Sequence, residues 1–120
     1  MKKNIIKDKS FAFALRVVNL AKFLETKKKE FVLSRQVLRS GTAIGALVRE
    51  AEHAESKADF VHKMNIALKE ANETLYWLEL LYQGEYIEKQ SFQSIATDSE
   101  ELIKLLIAIV KTSKASKQSE

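Results

Sequence analysis

Apolar residues recur through this chain at intervals of three and four, in four separate blocks. That spacing returns side chains to one face of an α-helix and does not match the alternation of a β-strand. The first block predicts a helix over residues 8–27, with Ser10 as its cap or in its first turn. It carries two adjacent stripes: Phe11, Leu15 and Val18, and beside them Phe13, Val17, Leu20 and Leu24. One stripe suffices for a bundle helix, so the other should meet something outside its own bundle. The second block predicts a helix over 35–54, capped by Ser34, with Val37, Gly41, Ile44, Val48 and Ala51 in line. The third runs over 57–83. It opens on Ser56-Lys57-Ala58-Asp59, a capping box with aspartate in the usual glutamate place, and stops at Gly84 as the residue after the cap. Its seam is Met64, Leu68, Ala71, Leu75, Leu78 and Tyr82. The fourth starts at Glu88 or Ser91 and runs to 113. Phe92, Ile95, Ser99, Leu102, Leu106 and Ile109 line one side, and Ile103, Ile107 and Val110 form a second stripe. The polar tail 114–120 is expected to fray.

Four such helices on short connections predict an all-α, up-down-up-down antiparallel four-helix bundle in one domain, residues 1–120. Composition agrees: 120 residues are enough for one core, and no proline and only three glycines leave little turn punctuation for a β fold. The apolar excess on helices one and four points to oligomerisation. With no cysteine, disulfides and thiolate chemistry are excluded. The opening MKKNIIKDKS has too short an apolar run for a signal-peptide core. The longest apolar run, Leu105 to Val110, is far short of a membrane span. A cytoplasmic protein with no membrane partner is expected.

Helix two has an unusually small middle, Ser40-Gly41-Thr42-Ala43-Ile44-Gly45-Ala46. A glycine inside a helix costs about 1 kcal/mol relative to alanine. Close approach of a neighbouring helix at Gly41 and Gly45 is the expected return.

Charge is unevenly spread. The net +4 arises from residues 1–30, where nine Lys/Arg meet three Asp/Glu; the remainder is balanced or mildly acidic. In an antiparallel bundle the end of helix one meets the start of helix two, gathering Lys22, Lys27, Lys28, Lys29, Arg35 and Arg39. These are the candidate contacts to nucleic-acid phosphates; the alternative is a solvated basic loop.

Catalytic chemistry is thin. Glu50-Ala51-Glu52-His53 is an E-x-x-H, and Asp59-Phe60-Val61-His62 a D-x-x-H, holding both histidines of the chain. Di-iron bundles use E-x-x-H on two helices and a further carboxylate from each of the other two. At the matching height helix one offers only Asp8, and helix four has no acid between Glu101 and Glu120. That shell cannot be completed, and a mononuclear site from Glu50, His53, Asp59 and His62 would need convergence that helix ends do not promise. Gly41-x-x-x-Gly45 lies inside a helix and lacks the lysine of a phosphate loop. Glu70 and Glu73 share a helix face, as solvated acids often do. No enzyme, no cofactor and no metal are expected.

Helices two and three also resemble a known family. Arg39-Ser40-Gly41-Thr42-Ala43-Ile44-Gly45-Ala46, Glu50-Ala51, Lys57-Ala58-Asp59-Phe60-Val61-His62-Lys63-Met64, Lys69-Glu70-Ala71-Asn72-Glu73-Thr74 and Trp77-Leu78-Glu79-Leu80-Leu81 arrive in the order and at the spacing of the bacterial four-helix-bundle proteins named for 23S ribosomal RNA intervening sequences. The likeness covers most of residues 10–110. One departure is Gly45-Ala46-Leu47-Val48-Arg49, where a polar family position is apolar and an acidic one basic. The resemblance implies a ring, typically a homopentamer. It also implies kinship with the accessory variability protein of diversity-generating retroelements, a basic pentamer that works with a reverse transcriptase and RNA. Two readings follow: an oligomeric scaffold that binds RNA or DNA through its basic end, or a protein-binding adaptor with no nucleic-acid contact.

Overall fold

The computed structural model describes residues 4–118 and, among them, four helices and no strand: α1 Ile5–Lys27, α2 Val32–Glu52, α3 Lys57–Gln83 and α4 Lys89–Gln118. Their ends are set by side chains that satisfy otherwise unpaired N–H groups. α1 starts three residues before the expected 8, because Asn4 is the cap: its Oδ1 accepts the Lys7 N–H at 3.2 Å. Ser10 is no cap. It is buried, and its hydroxyl donates to the Lys7 carbonyl at 3.2 Å.

α2 likewise starts early, and Ser34 does not cap it. The Glu30 carboxylate accepts the N–H groups of Leu33 and Ser34 at 3.1 and 2.9 Å, an arrangement that also suits the positive end of the helix dipole. Ser34 is buried, its hydroxyl donating to Glu25 at 2.9 Å. α3 has the expected bounds. Ser56 Oγ accepts the Asp59 N–H at 3.0 Å, and the Asp59 carboxylate accepts the N–H of Glu55, one residue before the cap, at 3.2 Å.

The stop of α3 differs from expectation. Gly84 has φ −79°, and Glu85 takes the left-handed conformation at φ 67°. The Glu85 N–H donates to the Tyr82 carbonyl at 3.0 Å and the Tyr86 N–H to the Leu81 carbonyl at 2.8 Å, the bond pair of a Schellman stop. α4 does not fray at 114. Lys114 to Gln118 continue the helix, with no glycine or proline to end it; Ser119 and Glu120 lie outside the described residues.

α1 packs on α2 and α4, and α3 on α2 and α4, so sequence neighbours are antiparallel and the topology is up-down-up-down. The α1–α4 seam is the sparsest of the four. Phe13, Val17, Leu24, Val37, Ile44, Val48, Leu78, Leu81, Leu102 and Leu106 form the centre of the core. The inner face of α3 keeps Met64, Ala71 and Leu78 of the expected seam but is turned away from the other half: Ala67, Thr74 and Leu81 are buried, while Leu68, Leu75 and Tyr82 are half-buried. The turn brings Thr74 to Ser40 on α2, where the two hydroxyls hydrogen-bond at 2.8 Å in the dry interior. Ser99 Oγ, on α4, is the buried side-chain polar atom left without a partner among the described residues.

The Phe11–Leu15–Val18 stripe of α1 stays outside the core. Phe11 and Leu15 are 49% and 52% exposed, and Val18 is half-buried. The Arg49 guanidinium lies 5.1 Å from the Phe11 ring, which puts this stripe on the flank of α1 next to α2. On α4 only Ile107 of the second stripe is exposed; Val110 joins the core. No helix among the described residues is long and apolar enough to cross a membrane.

Candidate nucleic-acid interface

The turn between α1 and α2 is built so that its acids face inward and its bases outward. The chain leaves α1 through N–H bonds of Lys28 and Glu30 to the Leu24 carbonyl, at 3.2 and 3.0 Å, with Lys29 left-handed at φ 54°. This conformation swings Glu30 back onto the first turn of α2, where its carboxylate is consumed as a cap. Glu25 is held by the Ser34 hydroxyl. Lys22, Lys27, Lys28, Lys29 and Arg35 are all exposed. Lys28 Nζ lies 5.9 Å from the centre of the Phe23 ring, a cation–π distance. The same turn exposes Phe31 and, at 71%, Val32.

Arg39 does not join this set. Its guanidinium donates to Glu70 at 3.1 Å and pairs with Glu73, and Glu73 also accepts the Trp77 indole N–H at 3.0 Å. Two carboxylates already neutralise it, so the expected sixth phosphate contact is an interhelical tie. Sequence spacing placed Arg39 one turn from Arg35 but could not place the acids of α3 opposite it.

Beside the basic turn lies a half-open cleft of about 740 Å³ where the sparse α1–α4 seam meets the α3–α4 turn. Its walls are Leu20, Phe23, Tyr82, Tyr86, Ile87 and Ile95, and its rim carries Arg16, Lys28, Glu85 and Glu88. Tyr82 is fixed by face-to-face stacking on Phe92, with centroids 4.7 Å apart. Arg16 is fixed by Asp98 at 2.6 Å and the Ser94 hydroxyl at 3.0 Å. This cleft was not anticipated from sequence. Its one local signal is Tyr86-Ile87, two large side chains inside a turn that otherwise had no reason to carry them.

The histidine motifs come near one another without converging. A surface depression is lined by Arg49, Glu50, His53, Glu55, Asp59 and Lys63, and His62 is not among them. Glu50 is paired with Lys63 at 3.0 Å, which raises the Lys63 pKa above its ordinary value through that hydrogen bond and the attraction of the charge. Asp59 is engaged at the start of α3. Among the described residues no three His, Asp or Glu side chains are grouped as a metal ion would require.

Gly41 and Gly45 both face α1, with unequal clearance. A Cβ on Gly41 would meet both methyls of Val17 at 2.8 Å, whereas one on Gly45 would lie 3.5 Å or more from Ser10. Both glycines lie against α1, but only at Gly41 would a Cβ be too close; at Gly45 it would rest in ordinary contact with the Ser10 backbone.

The family model for the 23S rRNA-intervening sequence protein matches residues 2–108. The chain belongs to that family. Among solved structures, a protein of unknown function from the S23 ribosomal protein family of Bacteroides thetaiotaomicron is 63% identical, with a TM-score of 0.88. The likeness covers 88% of this chain and 98% of that one. No curated protein matches. Membership in the 23S rRNA-intervening sequence protein family therefore carries the fold and leaves the activity to be argued from the surface.

Proposed function

We propose that this protein is a non-catalytic, homo-oligomeric scaffold that binds the phosphates of RNA or DNA through the α1–α2 end of each subunit. The observation that carries this reading is the segregation of charge at that turn. Lys22, Lys27, Lys28, Lys29 and Arg35 point outward, while Glu25 and Glu30 are bound up in the start of α2. The exposed Phe11–Leu15 stripe of α1 is the surface through which copies would meet, and the family resemblance implies a pentamer. Assembly would repeat five modest patches around a ring, and phosphate contacts would multiply.

Five cations on a single strand correspond to a salt slope of about −3.5, so a fourfold rise in salt should weaken binding about a hundredfold for one subunit's contacts. Replacing Lys27, Lys28 and Lys29 by glutamine leaves two cations and a slope of about −1.4. The test is anisotropy of a labelled random RNA and a random duplex DNA at two salt concentrations. Wild type should bind both steeply and the triple variant weakly and flatly. Equal binding by the triple variant would remove the basic end from the account. The runner-up is a protein-binding adaptor without nucleic-acid contact, favoured by the exposure of Phe31 and Val32. Absence of binding at low salt would select it.

A further inference from the structure

The cleft beside the basic turn combines two chemistries that phosphate binding does not need together. Its walls are apolar and aromatic, with Phe23 and Tyr86 presenting ring surface. Its lining also includes Lys28, Glu85 and Glu88. A bare phosphate would be repelled by the two carboxylates. An aliphatic ligand would leave Lys28 and both acids without partners. A nucleotide has a use for each: a flat ring for the aromatic walls, N–H groups on the base edge for the carboxylates, and a phosphate for the lysine. The volume, about 740 Å³, falls in the ordinary range for a small-ligand site and exceeds what one base fills.

We infer that this cleft receives an unpaired nucleobase of the strand whose backbone runs over the α1–α2 turn. The inference rests on the phosphate-binding reading and narrows it from nucleic acid in general to single strands, because a base within a duplex cannot leave its stack without cost. Continuity supports it. Leu20, Phe23 and Lys27 follow one another at three and four residues on α1, so a single helix flank runs from cleft wall to basic end. Lys28 serves both, lining the cleft while belonging to the lysine run. The base slots between Phe23 and Tyr86 with its N–H edge toward Glu85 and Glu88, and the adjoining phosphates pass to Lys27, Lys28 and Lys29.

The experiment compares three probes of equal length: a single-stranded RNA, an abasic strand carrying the same phosphates, and a duplex. The proteins are wild type, Tyr86→Leu, which removes one ring of the slot without touching the Phe23–Lys28 pair, and Ser91→Phe, which fills the cleft from Ser91, an exposed residue of its lining. Wild type should prefer the RNA to the abasic strand by about tenfold, in line with stacking of one base. Both variants should lose that margin while binding the abasic strand as wild type does, which also shows that they are folded. Equal wild-type affinity for RNA and abasic strand, or variants that keep the margin, would overturn the cleft while leaving the phosphate reading intact. Loss of the margin in Phe31→Ala instead would put the base on the exposed turn and overturn it too. Failure of all three probes to bind would remove both readings.

Discussion

Adding one methyl group at Gly45 should stabilise the protein, and adding one at Gly41 should not. The two positions lie one turn apart on α2 and face the same neighbour, so each substitution by alanine gains the same helix propensity, about 1 kcal/mol. At Gly45 the new carbon sits 3.5 Å or more from Ser10, ordinary contact, and the gain should survive. At Gly41 it sits 2.8 Å from both methyls of Val17, about an ångström inside the normal separation of carbon atoms. Val17 is fully buried and branched at Cβ, so its χ1 is stiff and it has no open space to rotate into. Overpacking of this kind costs about 1–3 kcal/mol. Gly41→Ala should therefore be neutral to about 2 kcal/mol destabilised, Gly45→Ala about 1 kcal/mol stabilised, and Gly41→Leu worse than either. Urea unfolding followed by far-UV circular dichroism, at one fixed protein concentration because assembly contributes, measures all three. A Gly41→Ala protein as stable as Gly45→Ala would mean that α1 does not approach α2 closely at Gly41.

Ser99→Ala should raise stability by about 1 kcal/mol, since it removes a buried hydroxyl that has no partner among the described residues; a lower urea midpoint would mean that a bound water serves it. Arg39→Gln should leave nucleic-acid binding unchanged in an anisotropy titration, because its charge is already matched by Glu70 and Glu73; a loss comparable to that of a lysine variant would return it to the interface. The raised pKa of Lys63, from its hydrogen bond to Glu50, and of Lys9, from its hydrogen bond to Glu101, give a definite sign. Their contribution is complete below the unfolded-state lysine pKa and is lost as pH rises through the raised folded values. Lys63→Met should accordingly bring the alkaline and neutral stabilities closer together, as read from melting temperatures across that range.

Periodicity alone located all four helices, because each must bury a face and the heptad-like spacing reports that face directly. The five positions it set in line on α2, Val37, Gly41, Ile44, Val48 and Ala51, are all buried, while the buried Ser34 and Ser40 escaped it. It also showed that α1 carries one stripe more than a core needs, and the structure shows which one: Phe11 and Leu15 are the exposed pair. What it missed depends on partners distant in sequence. The caps at Asn4 and Glu30 were hidden because Ser10 and Ser34 are equally good capping types, and only the packed structure shows both serines buried. The rotation of α3 toward Thr74 answers a single hydroxyl on α2. Arg39 looked free because its acids sit thirty-one and thirty-four residues away. The cleft arises where three elements meet, and no local window contains it.

The proposed scaffold needs self-assembly through the outer stripe of α1, and the mass of the protein in solution decides whether that happens. Light scattering coupled to size exclusion should give about five times the 13.7 kDa of one chain for wild type. Phe11→Gln combined with Leu15→Glu alters only exposed side chains and should elute as a folded species of 13.7 kDa. A monomeric wild type at micromolar concentration, or a double variant with the wild-type mass, would contradict the assignment of that stripe to the subunit interface.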